Sequence, residues 1–127
     1  MKYLADTDII IKHLRGKHRL SEAKVAAGMA VSIITVGELL YGAHKSVQPQ
    51  KSLQTVNNFL TDLSIKVLNL NQEIVNDYAK TKAQLEREGQ RLDEFDLLIA
   101  STAKIHSLTL LTDNLKHFQR IPGIKIA

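Results

Sequence analysis

The segment Lys2-Tyr-Leu-Ala-Asp6-Thr-Asp8-Ile-Ile-Ile-Lys-His-Leu14 changes from a strand pattern to a helix pattern at its acidic residues. Residues 2–5 are predicted to form a short apolar strand that ends at Asp6, and residues 8–14 are predicted to form a helix. Apolar runs become the interior of a fold, where a carboxylate is costly unless it is paired or binds a cation. This junction therefore predicts a strand followed by a helix, with an acidic group at the strand's end.

The same alternation continues along the rest of the chain. Further strands are predicted at residues 30–34, 65–70, 108–111 and 124–126, and further helices at residues 21–27, 35–45, 51–63, 71–88, 95–106 and 114–118. This order predicts an α/β fold of three layers, with a central, mostly parallel sheet of about four to five strands flanked by helices. No composition shift or low-complexity tract divides the chain, so a single domain is expected over residues 1–127.

The amino-acid composition excludes several kinds of functional site. The chain has no cysteine, which excludes disulfides, thiolate zinc sites and cysteine nucleophiles. No apolar stretch approaches the roughly 18 residues of a membrane span, and Asp6 and Asp8 interrupt any signal-peptide core, so a cytoplasmic protein is expected. The net charge of +4 fits a phosphate-rich partner such as RNA or DNA, and it fits a plain basic protein equally well.

Four acidic residues lie in or against apolar runs: Asp6, Glu38, Asp96 and Asp113. Asp6 and Asp113 each follow a predicted strand, and the crevice of a doubly wound sheet lies beyond the carboxyl ends of its strands. Hard cations such as Mg²⁺ and Mn²⁺ take oxygen ligands, and clustered carboxylates repel each other unless a cation neutralises them. The four acids together therefore predict one shared cation site.

Each acid also has a structural explanation. Asp6 can cap the helix that follows it, and Asp113 can be a turn residue. Thr35-x-x-Glu38 is a capping box, in which the Glu side chain accepts from a free backbone N–H. Asp96 can favour a helix start through the helix dipole, although the acids just before it can do the same.

Other polar groups give weaker signals. Four basic residues near the predicted site can contact an RNA backbone or form a solvated face: Lys12, Arg15, Lys116 and Arg120. The five histidines form no HExxH or HxH pair and are expected on the surface.

The order of several short motifs resembles that of PIN-domain ribonucleases and, within them, the VapC-type toxins of bacterial toxin–antitoxin pairs. The resemblance covers nearly the whole chain. It rests on five segments: Leu4-Ala-Asp-Thr7, Ser32-Ile-Ile-Thr35-x-x-Glu38-Leu39 with Tyr41-Gly-Ala43, Asp96-x-x-Ile99-Ala100, Leu111-Thr112-x-Asn114, and Phe118-x-Arg120-Ile-Pro-Gly123.

The resemblance implies a compact α/β fold with a parallel sheet, and an acidic site with one or two Mg²⁺ or Mn²⁺ ions. It implies growth-inhibiting RNA cleavage, a small antitoxin protein that occludes the site, and a homodimer. The implied catalytic and metal-binding residues are Asp6, Glu38, Asp96 and Asp113, supported by Thr7, Asp8 and a Thr112 that hydrogen-bonds within the site.

Two positions depart from the family pattern. Asp8 stands where the family often has Asn or Ser. His117 stands just before the terminal Phe, where the family often has Asp or Glu.

Metal-dependent phosphodiester hydrolysis is the leading hypothesis, with a water of lowered pKa attacking phosphorus in line and with Asp6 and Asp96 as direct ligands. A phospho-accepting receiver domain is an alternative, but it needs an Asp after the third strand, where this chain has Leu68-Asn-Leu70. A non-catalytic nucleic-acid-binding module and metal-free cleavage by histidines are two further alternatives.

Overall fold

The centre of the fold is a sheet of four parallel strands, seen in a computed structural model that describes residues 1–127. The strands are β1 (Tyr3–Ala5), β2 (Met29–Ser32), β3 (Lys66–Leu68) and β4 (Thr109–Leu111). Their spatial order is β3-β2-β1-β4. Because β2 lies on one side of β1 and β4 on the other, the strand order reverses at β1. The crevice at the carboxyl ends of β1 and β4 is therefore the switch point, where α/β sheets bind their ligands.

Helices cover both faces of this sheet. They are α1 (Thr7–Leu14), α2 (Glu22–Ala26), α3 (Ile33–Lys45), α4 (Pro49–Asp62), α5 (Gln72–Arg87), α6 (Glu94–Ile105) and α7 (Leu115–Phe118). Successive strand residues point to opposite faces, so Leu4 belongs to the core under α5, α6 and α7, and Ala5 to the core under α1, α3 and α4. The three-layer α/β prediction is confirmed.

Several element boundaries differ from the sequence prediction by one or two residues, and the last predicted strand forms no ladder. Residues 124–126 form only a single bridge, from Ile126 to Leu110, directly after the turn at Pro122-Gly123. Helix α3 begins at Ile33 and not at Thr35, and α4 begins with Pro49, whose fixed φ suits the first helical turn. None of the helices combines the length and the apolar character that crossing a membrane requires.

Candidate active site

Asp6 lies at the carboxyl end of β1 and is also the N-cap of α1. Its residue is only 4% exposed. One carboxylate oxygen accepts from the backbone N–H of Thr7 at 2.8 Å, and the other accepts from the Thr112 hydroxyl at 2.9 Å. Thr112 follows β4, so this bond joins the ends of the two strands that border the crevice. The capping role and the site role therefore coexist in Asp6.

The protonation of Asp6 reflects opposing effects. Burial raises the pKa of Asp6 above its ordinary value, and the hydrogen bonds from Thr112 and Thr7 lower it. The charges of Asp8 and Glu38 raise the pKa again. Asp6, from β1, therefore shares an electrostatic environment with acids from α1 and α3.

Glu38 is held by a chain of hydroxyl groups. The Thr7 hydroxyl donates to Glu38 Oε1 at 2.7 Å, and the oxygens of Thr7 and Thr35 are 2.9 Å apart. Because Thr7 has one hydroxyl proton and gives it to the carboxylate, Thr35 donates to Thr7. The capping-box explanation of Glu38 is wrong, because the N-cap of α3 is Ser32, whose hydroxyl accepts from the backbone N–H of Ile34.

Asp96 lies in the first turn of α6, but it does not cap the helix. The cap is Asp93, whose carboxylate accepts from the backbone N–H groups of Phe95 and Asp96. Burial, followed by the charges of nearby acids, raises the pKa of Asp96 to about 7. Those acids are Asp6, Asp93, Glu38 and Asp8. Carboxylates from four elements therefore face one another across the crevice.

His117, on α7, faces the same group of acids. Its Nε2 is 3.0 Å from Asp96 Oδ2, but Nε2 is shielded from solvent and makes no aligned hydrogen bond. The expectation of a surface residue is wrong for His117, because the fully buried Phe118 draws α7 against α6. It is also wrong for His13, which is half-buried and accepts from the backbone N–H of Leu20.

Asp113 stands apart from the other acids. Its side chain is 48% exposed and forms an ion pair with Lys12 at 2.5 Å. The hydrogen bond to Asp113, followed by the charge of Asp113, raises the pKa of Lys12. Lys12 and Asp113 line a cavity of about 370 Å³ together with Asp8 and Arg15. The structure thus brings together Asp6, Glu38 and Asp96, and places Asp113 at the rim.

Sequence reasoning missed two polar residues of this site. Thr35 was assigned to a helix cap, and only the tertiary contact with Thr7 shows its role. His117 was noted as a departure from the family pattern, which was the one available signal. The other two basic residues, Lys116 and Arg120, are exposed on and just after α7.

The charge balance of the site fits a divalent cation. No Lys or Arg forms an ion pair with Asp6, Glu38 or Asp96. In this conformation no three acidic or histidine side chains converge closely enough to hold an ion. Repelling carboxylates stay apart until a cation neutralises them. Carboxylate oxygens and the solvent-shielded Nε2 of His117 are donors whose chemistry suits a divalent cation.

An open cavity of about 740 Å³ adjoins the acids. Its lining includes Thr7, Asp8 and Glu38 together with the exposed aromatic rings of Tyr41 and Phe95. A different cavity, of about 560 Å³, lies between α1, α2 and α4 and contains none of the predicted catalytic acids. The cavity beside the acids is thus the larger of the two, and only it adjoins the grouped carboxylates.

A parallel α/β fold with acids at its switch point defines the class of PIN-domain proteins, and the PIN domain family model matches residues 3–124. The chain is 33% identical to the tRNA(fMet)-specific endonuclease VapC of Salmonella typhimurium, over 99% of this chain and 96% of that protein. It is 34% identical to ribonuclease VapC2 of Haemophilus influenzae, over 98% and 96%.

The solved structures agree with the sequence comparisons. The DNA-bound VapBC of Salmonella typhimurium is similar with a TM-score of 0.92 and 32% identity, covering 100% of this chain and 97% of that one. The chain therefore belongs to the PIN-domain family and, within it, to the VapC group.

Proposed function

We propose that this chain is a metal-dependent endoribonuclease and the toxin of a toxin–antitoxin pair. The observation that carries the proposal is the grouping of Asp6, Glu38 and Asp96 at the switch point without a Lys or Arg to neutralise them. The two similar proteins, an endonuclease and a ribonuclease, supply the reaction class.

Asp6 and Asp96 hold the ion directly in this proposal, and Glu38 completes the site. One or two Mg²⁺ or Mn²⁺ ions, when bound, supply an activated water and neutralise charge on the phosphate. The protein's own part is orientation: Thr112 fixes one oxygen of Asp6, and Thr7 fixes one oxygen of Glu38. Asp113 remains a candidate for a further ligand.

RNA is the proposed substrate, and basic side chains at the rim are proposed to hold its backbone. Lys12 and Arg15 line the cavity next to Asp8, on the α1 side of the acids. Lys116 and Arg120 are the corresponding candidates on the α7 side. Such phosphate contacts position the strand and do not read its sequence.

A small antitoxin protein is the proposed partner, since the similar solved structure is a VapBC complex. The cavity beside the acids suits a partner that has apolar side chains and a basic tip, because exposed Tyr41 and Phe95 adjoin Glu38. Occupation of this cavity would block access to the acids. The expected homodimer stays a prediction.

The receiver-domain alternative finds no support in the sheet. β3 is an edge strand, and the residues after it, Asn69 and Leu70, carry no carboxylate. A non-catalytic binding module leaves the buried acids unexplained, because phosphate-binding surfaces have no use for them without a metal.

RNA cleavage by two variants tests the proposal. Asp6→Asn and Asp96→Asn remove the main ligand charges, so with Mg²⁺ or Mn²⁺ each is expected to cleave at least about 100-fold more slowly than wild type. The matched control is Asp62→Asn, an exposed acid at the end of α4, which is expected to leave the rate unchanged. If Asp6→Asn and Asp96→Asn both fold and both cleave RNA at the wild-type rate, the proposal is refuted. Activity that survives EDTA would instead favour metal-free cleavage by histidines.

A further inference from the structure

His117 is fixed over the acidic site by the residue that follows it. Phe118 is fully buried, and its ring meets the His117 ring edge-on with centroids 5.7 Å apart. The short helix α7 is therefore anchored in the core. Its last turn is consequently held close to the first turn of α6.

The two facing atoms have the spacing of neighbouring ligands on one ion. His117 Nε2 and Asp96 Oδ2 are 3.0 Å apart. Donors at right angles around an octahedral ion with bonds of about 2.1 Å are separated by about 3.0 Å. A ring nitrogen directed at the carboxylate would form an aligned hydrogen bond, and Nε2 forms none. The contact therefore has the spacing of two donors on one ion without the alignment of a hydrogen bond.

A permanent His117–Asp96 ion pair explains these observations less well. An ion pair held by a hydrogen bond would align Nε2 with the Asp96 carboxylate, and the structure shows no such alignment. Nε2 is shielded from solvent, so water does not satisfy it either. A buried polar atom without a protein partner requires an explanation, and the binding of an ion is one of the recognised causes.

We propose that His117 Nε2 is a nitrogen ligand beside Asp96 and shifts the preference of the site from Mg²⁺ toward transition-metal ions such as Mn²⁺. This inference rests on the proposed metal site. Imidazole nitrogen binds transition metals well, whereas Mg²⁺ prefers carboxylate, carbonyl and water oxygens. An acidic side chain at position 117 would give an all-oxygen site. The histidine gives a mixed one.

Calorimetric titration of the metal-free protein with Mn²⁺ and with Mg²⁺ tests the preference. His117→Gln is expected to lower the ratio of Mn²⁺ to Mg²⁺ affinity by about tenfold or more, since even indirect changes to metal sites cost 10- to 100-fold. His117→Glu is expected to bind Mg²⁺ more tightly than wild type. The control is His106→Gln, an exposed histidine that follows α6, and it should leave both affinities unchanged. An equal change of both affinities in His117→Gln would overturn the inference.

Electron spin-echo spectroscopy of bound Mn²⁺ detects the bond directly. The wild-type complex is expected to show coupling to an imidazole ¹⁴N, which disappears in His117→Gln. Mn²⁺ bound without nitrogen coupling in wild type overturns the His117 ligand but leaves the proposed nuclease intact. If wild type binds no ion at all, both proposals fail. The wild-type spectrum decides the question even if the variants do not fold.

Discussion

At the scale of single residues, Asp96 is an acid that folding places in an unfavourable environment. Its side chain is 26% exposed, and it faces Asp6, Asp8, Glu38 and Asp93, with His117 as the nearest potential cation. Its folded pKa of about 7 lies well above the ordinary 3.8. Between these two values the folded protein holds a proton that the unfolded chain has lost. The contribution of Asp96 to the free energy of unfolding is therefore fully present below about pH 4. It is lost as the pH rises through about 7.

Asp96→Asn should remove this loss of stability. Asparagine is neutral at every pH, so in EDTA the variant is expected to be more stable than wild type at pH 8 by at least about 1 kcal/mol, with the difference shrinking toward pH 4.5. Urea denaturation at the two pH values measures this difference. A constant difference between the proteins at both pH values would show that Asp96 does not titrate in this range.

At the scale of elements, the first two turns of α3 contain one residue that stabilises the helix and another that belongs to the acidic site. Ser32 caps the helix, and Glu38 lies in the second turn, where it accepts from Thr7. Ser32→Ala is therefore expected to destabilise the protein by about 1 kcal/mol, because it removes the cap. Glu38→Gln is expected to cost much less stability while lowering RNA cleavage. Thermal unfolding of the two variants measures the contrast, and an equal loss of stability in both would contradict it.

The elements also show which features of the structure could be predicted from the sequence. The strand before Asp6 and the apolar face of α6 have clear sequence patterns. The positions of Asp6 at the end of a strand and of Asp96 in a helix were therefore predicted correctly. The start of α3 was predicted incorrectly, because Thr35-x-x-Glu38 satisfies a local capping rule although the helix begins at Ile33 with Ser32 as its N-cap. The contact between His117 and Asp96 was equally hidden, since it depends on the burial of Phe118.

At the scale of the whole molecule, the acids and the bases are separated. The chain carries a net charge of +4, yet the crevice at β1 and β4 holds several carboxylates without a neutralising Lys or Arg. Lys12 and Arg15 line the neighbouring cavity. This arrangement suits a basic surface that holds a phosphate backbone next to an acidic site that holds a cation. Parallel strands bring the acids together because their carboxyl ends share one edge of the sheet.

Anomalous scattering from a crystal of the protein soaked in Mn²⁺ tests the shared cation site most directly. The expected result is a peak in contact with the carboxylates of Asp6 and Asp96, and its loss in crystals of Asp96→Asn. A peak bound only at Asp113, or no peak at the carboxyl ends of β1 and β4, would contradict the account.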